Sequence, residues 1–109
     1  MGSEEVIVTE LTKEDVDKIA LRVARETIGA DLIQAVSTST TYGTGGESAW
    51  QVKFTLTPGS TDALPPGSTL NNLVRLRREL SALGDIRFPY TEYTTEEEER
   101  ELAAHADDD

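Results

Sequence analysis

The sequence predicts an α+β fold of two layers, an antiparallel sheet of three to four strands with two helices on one face. Three observations carry this. Apolar residues recur at three-and-four spacing within 12–29 and again within 69–83. They alternate with polar residues through "SAWQVKFTLTP" (48–58). A glycine-rich link, "GTGGE", joins that run to the β-branched run before it, as in a hairpin.

Residues 5–11, "EVIVTEL", read either as a short strand or as the lead-in to a helix. Thr12 is a good N-cap with Asp15 placed to answer it, and Leu11 and Val16 are placed for a hydrophobic staple. Val16, Ile19, Ala20, Val23, Ala24 and Ile28 then form one apolar stripe, and Gly29 ends the helix. Residues 31–42 read as a strand in which Leu32 and Ile33 compete for the inside. In the next strand Trp50, Val52, Phe54 and Leu56 share a face, with Gln51, Lys53, Thr55 and Thr57 on the other, until Pro58 stops it.

After the proline- and glycine-rich loop 58–67, Ser68 or Thr69 caps a second helix. Its apolar side is Leu70, Leu73, Val74, Leu76, Leu80 and Leu83, and Gly84 ends it. "DIRFPY" (85–90) follows, with Ile86, Phe88 and Tyr90 expected to join the core. Pro89 marks it as an edge strand. Thr94 or Thr95 caps a last helix that has only Leu102, Ala103 and Ala106 to bury, and the closing "DDD" should fray. With 5–11 counted as a strand the order is βαββαβ, the ferredoxin-like order. Without it the sheet has three strands. Residues 1–94 read as a single α+β domain and 95–109 as an acidic C-terminal helix or tail.

Composition excludes several functions. The chain of 109 residues has no cysteine, so disulfides, thiolate metal sites and cysteine nucleophiles are ruled out. The N-terminus is acidic with no apolar run behind it, unlike a signal peptide, and no stretch approaches the ~20 apolar residues of a membrane span. A cytoplasmic protein is expected. The net charge of −11 is uneven: residues 92–109 hold nine acids against Arg100, while residues 1–91 are nearly balanced, with twelve acids and nine bases. Phosphate backbones need a basic surface, so nucleic acid is not an expected partner.

No catalytic, cofactor-binding or metal-binding constellation stands out. "YGTGGES" joins two strands, carries Glu47 and lacks a lysine, whereas a phosphate loop runs from a strand into a helix. "TGGES" is not the G-x-S-x-G elbow of serine hydrolases. In "ESAWQVKF", Ala49 and Gln51 stand where an RNA-recognition motif would carry stacking aromatics, and Glu47 stands where it would carry a base. His105, the only histidine, lies in the tail with neither cysteine nor second histidine near it. Glu96–Glu99 share one exposed environment at a helix start, where acid favours the helix dipole. They lack the alternating ligands of a calcium loop and the split environments of an acid/base pair.

The sequence "GDIRFPYTEYTTEEE", with "AWQVKFTL" before it, resembles short bacterial open reading frames of uncharacterised function, over about residues 12–99. The resemblance implies a bacterial cytosolic origin and no particular activity.

The function expected from these features is that of a small acidic, non-enzymatic protein-binding module that docks on a basic protein partner. The residues expected to make the contact are Glu96, Glu97, Glu98, Glu99 and Glu101, with Arg75 and Arg78 as a secondary patch. The alternative is a small-molecule-binding or enzymatic ferredoxin-like domain with a site at the sheet face or the 58–67 loop. No cofactor is expected.

Overall fold

The computed structural model describes residues 11–106. Residues 5–10 of the candidate first strand and the terminal Asp107–Asp109 lie outside the described residues. The fold is α+β, with three helices and a three-stranded mixed sheet.

Helix α1 spans Lys13–Ala24. Its start is the expected capping box: the Asp15 N–H donates to the Thr12 hydroxyl oxygen at 3.2 Å, and the Thr12 N–H donates to the Asp15 carboxylate at 3.0 Å. That bond from the Thr12 N–H holds the Asp15 carboxyl below the usual carboxylate range. Val16, Ala20, Val23, Ala24 and Ile28 are buried as the stripe requires. The last turn, Arg25–Gly29, widens to a π-helix, and Gly29 ends it at φ 140°.

Strands β1 (Ile33–Tyr42) and β2 (Ser48–Leu56) form the expected antiparallel hairpin, closed where the Gly43 N–H donates to the Glu47 carbonyl at 2.8 Å. An irregularity between Ile33 and Ala35 resolves the competition at the strand's start. Gln34 is extra, so Ile33 is buried while Leu32 still packs against the core.

Helix α2 spans Ser68–Ala82 and strand β3 Phe88–Thr95. The sheet is mixed where an antiparallel one was expected: β3 pairs with β2 in parallel, in the order β1-β2-β3. The reason is the connection. Helix α2 carries the chain back to the end where β2 began, so β3 repeats its direction, a βαβ unit. A split ferredoxin-like unit would place a strand between these two, and here they are bonded directly.

Two core faces differ from expectation. Register with β2 sets Pro89 opposite Trp50 and Tyr93 opposite Phe54, so Pro89, Thr91, Tyr93 and Thr95 face the helices. Tyr93 stacks on Phe54 with ring centroids 5.1 Å apart. Ile86 is instead 90% exposed, Tyr90 is exposed and Phe88 is half-buried. On α2 the buried row is Ser68, Asn72, Leu76 and Leu80, while Leu70, Val74 and Leu83 are exposed. Gly67, at φ 75°, is the N-cap and makes no side-chain cap, which leaves Ser68 free to turn inward. The Asn72 amide then reaches the Tyr93 hydroxyl at 2.9 Å, a polar bond that fixes this face of the helix inward.

The core lies between the helices and the sheet, around Trp50, Val52, Phe54, Leu56, Leu76 and Leu80. The opposite face of the sheet carries Ser37, Ser39, Gln51, Lys53, Tyr90 and Glu92, the odd-numbered and even-numbered positions that alternate away from the core. Helix α3 (Glu96–Ala106) continues directly from β3. Among the described residues no helix is long and apolar enough to cross a membrane.

Candidate functional site

The five glutamates expected to meet a partner do not act alike. Glu98 closes a second capping box: its N–H donates to the Thr95 hydroxyl oxygen at 3.1 Å, and its carboxylate accepts from the Thr95 N–H at 3.3 Å. Glu96 accepts from the Gln34 amide at 2.7 Å. Glu99 pairs with Lys53 at 2.6 Å. That bond raises the Lys53 pKa, although both side chains remain 40% exposed. Among the described residues Glu97 and Glu101 make no hydrogen bond or ion pair. Three of the acids thus fasten α3 to the sheet, and two point to solvent.

The fastening shapes an acidic edge. Glu92, Glu98 and Glu101, together with Tyr93, Thr94 and Leu102, line a cleft of about 330 Å³. Leu102 is 67% exposed. Glu92 accepts from Gln51 at 3.3 Å, which holds it in place on the strand. Carboxylates around an apolar floor of Tyr93 and Leu102 suit a side chain with an apolar stem and a cationic head, which is the build of lysine and arginine. Sequence analysis found Glu101 but missed Glu92, Tyr93 and Leu102. Only the direct turn from β3 into α3 brings Glu92 and Tyr93 beside Leu102.

The expected secondary patch divides. Arg75 is committed within the molecule, pairing with Glu26 at 2.6 Å and Glu79 at 3.4 Å, while Arg22 also pairs with Glu79. Alternating charge thus links the end of α1 to α2. The Arg22 bond lowers the Glu79 carboxyl and raises the Arg22 guanidinium. Arg78 makes no such ion pair among the described residues, although it lines the same groove as Arg75, with the exposed Leu70 and Val74. Among the described residues the ion pair of the α3 glutamates is with Lys53 and not with these arginines.

An ionic cluster around the buried Asp85 was not legible in the sequence. Helix α2 ends in a Schellman turn: the Asp85 N–H donates to the Leu80 carbonyl at 2.9 Å and the Gly84 N–H to the Ser81 carbonyl at 3.0 Å, with Gly84 at φ 93°. The turn delivers Asp85 beneath Trp50, whose indole N–H donates to Oδ2 at 3.0 Å. Arg87 grips both carboxylate oxygens, Nε to Oδ1 at 2.9 Å and Nη2 to Oδ2 at 2.7 Å, and lies over the Trp50 ring at 4.2 Å. Its backbone N–H adds a further bond to Oδ1 at 3.0 Å. Burial pushes the Asp85 carboxyl up, but these donors together hold it below the usual value. Both oxygens are saturated by fixed donors, so the carboxylate is a structural anchor with no lone pair aimed at a substrate.

Among the described residues no group of three or more histidine, aspartate or glutamate side chains is arranged to hold a metal ion. No family model, no curated protein and no solved structure matches this chain.

Proposed function

We propose that the protein is a small acidic binding module whose α3–β3 edge docks on the basic surface of a protein partner. The observation that carries this is the cleft of Glu92, Glu98 and Glu101 around the exposed Leu102, on a helix anchored to the sheet by other glutamates. Anchoring sets the charges in fixed positions, so a cation pays less ordering entropy to meet them. The acids also steer encounter over about a Debye length, ~8 Å at physiological salt. A cytoplasmic setting accords with this chemistry.

The test uses a partner captured from lysate by the full chain and identified. Glu97→Gln with Glu101→Gln changes charges that hold nothing among the described residues. The pair should slow association roughly tenfold or more at low salt, with a smaller difference at high salt. Equal association rates for the two forms at low salt would reduce the acidic edge to a solubilising surface.

An α+β domain with a small-molecule or catalytic site at the sheet face is the alternative. It is favoured by a cleft of about 410 Å³ lined by Thr41, Tyr42, Gln51 and Tyr90 among others. Lys53, on the same face, is turned to Glu99, which leaves this cleft uncharged and suited to a neutral polar ligand.

A further inference from the structure

We infer that the outer edge of β1 is a strand-pairing surface for a second copy of this chain. Among the described residues the sheet order is β1-β2-β3, with β1 an outermost strand. Antiparallel partners alternate between bonded and non-bonded pairs. The bond from the Gly43 N–H to the Glu47 carbonyl fixes the phase, so the N–H and C=O groups of Val36, Thr38, Thr40 and Tyr42 point away from β2. The irregularity at Ile33/Ala35 lies at one end and leaves Ala35–Tyr42 in continuous register.

Edge strands are normally blunted by charge, proline or a bulge in mid-strand. The other outer strand has such devices, Pro89 and Glu92. Strand β1 has none: it holds no charged residue and no proline.

Charge selects the occupant. Each copy carries −11, so two copies repel wherever their acids meet. Residues 32–46 are the longest stretch of the chain without a charged side chain, and β1 lies inside it. It is the place where one copy can approach another at least electrostatic cost.

The geometry is also self-complementary. A twofold axis through Ser39 would set Val36 opposite the partner's Tyr42 and Thr38 opposite the partner's Thr40. Every outward-pointing backbone group of that span would then be used. Tyr42, 75% exposed, would lie beside the half-buried Val36 across the junction. Such an isologous contact closes on itself as a dimer.

Sedimentation velocity on the full chain over a range of concentration and salt tests this, with circular dichroism to confirm folding. A concentration-dependent dimer is expected, and it should tighten as salt screens the acidic repulsion. This trend is opposite in sign to that for a basic partner at the α3 edge. Thr40→Pro removes an N–H that its own sheet does not use and should abolish the dimer. Ser39→Asp puts like charges face to face across the axis and should weaken it several-fold. A mixture of Ser39→Asp and Ser39→Lys chains should restore it as a heterodimer. A wild-type chain that stays monomeric at every concentration would overturn the inference. So would a dimer unchanged in a folded Thr40→Pro or Ser39→Asp variant. Slow amide exchange at Val36, Thr38, Thr40 and Tyr42 in a monomer would show the edge covered by the chain itself, and would equally overturn it.

Discussion

Asp85 and Tyr93 each settle a buried polar demand. The Trp50 indole is buried and needs an acceptor, and Asp85 supplies it while Arg87 compensates the charge. Asp85→Ala leaves the buried Trp50 indole N–H without its acceptor and removes the carboxylate that the half-buried Arg87 grips, and should cost about 1–3 kcal/mol in urea unfolding. Its pH signature has a definite sign. The folded carboxyl lies below its usual value of 3.8, so its contribution is complete above that pH and is lost as pH falls through the lower folded value. Wild type should therefore lose stability below about pH 4 more steeply than Asp85→Ala. Tyr93→Phe removes the acceptor of the buried Asn72 amide and should cost about 1–3 kcal/mol, with the Phe54 stack retained. The need of Trp50 for an acceptor is visible in its side-chain chemistry. Its answer is not, because Asp85 lies 35 positions away and is delivered by the turn after α2.

At the scale of elements, β3 shows how a face is chosen. Ile86, Phe88 and Tyr90 look like the inside, yet Glu92 continues the same alternation and carries a charge that cannot be buried unpaired. Register with β2 sends Tyr93 inward instead. Ile86→Ser should accordingly stay within about 0.5 kcal/mol. Phe54→Ala should cost roughly 3–5 kcal/mol, because Phe54 is fully buried against Tyr93. Denaturant midpoints decide both, and a large loss in the first with none in the second would reverse the faces. The capping box of α1, the hairpin and the alternation of β2 were legible because each is a local pattern. The inward face of α2 was not, because apolar residues lie on several sides of that helix and the decisive bond, Asn72 to Tyr93, is tertiary. The role of α3 was half legible. Its charge stands in the sequence, whereas the split between anchoring glutamates and free ones depends on Gln34 and Lys53 lying beneath it.

For the whole molecule, charge is distributed unevenly between helices and edges. Glu26 and Glu79 pair with Arg22 and Arg75 between the two core helices, and Lys53 and Gln34 hold part of α3. On the α3–β3 edge Glu92 and Glu98 are held by hydrogen bonds, Leu102 lies exposed beside them, and Glu97 and Glu101 face solvent. The most direct test of that edge as the docking surface is a nuclear magnetic resonance titration of the full chain with a short peptide alternating arginine and leucine. The amide shifts should cluster at Glu92, Tyr93, Glu98, Glu101 and Leu102, shrink as salt rises, and fall sharply in Glu101→Gln. Shifts spread evenly over all acidic residues, including Glu14 and Asp15 on α1, or unchanged by Glu101→Gln, would contradict a specific acidic docking edge.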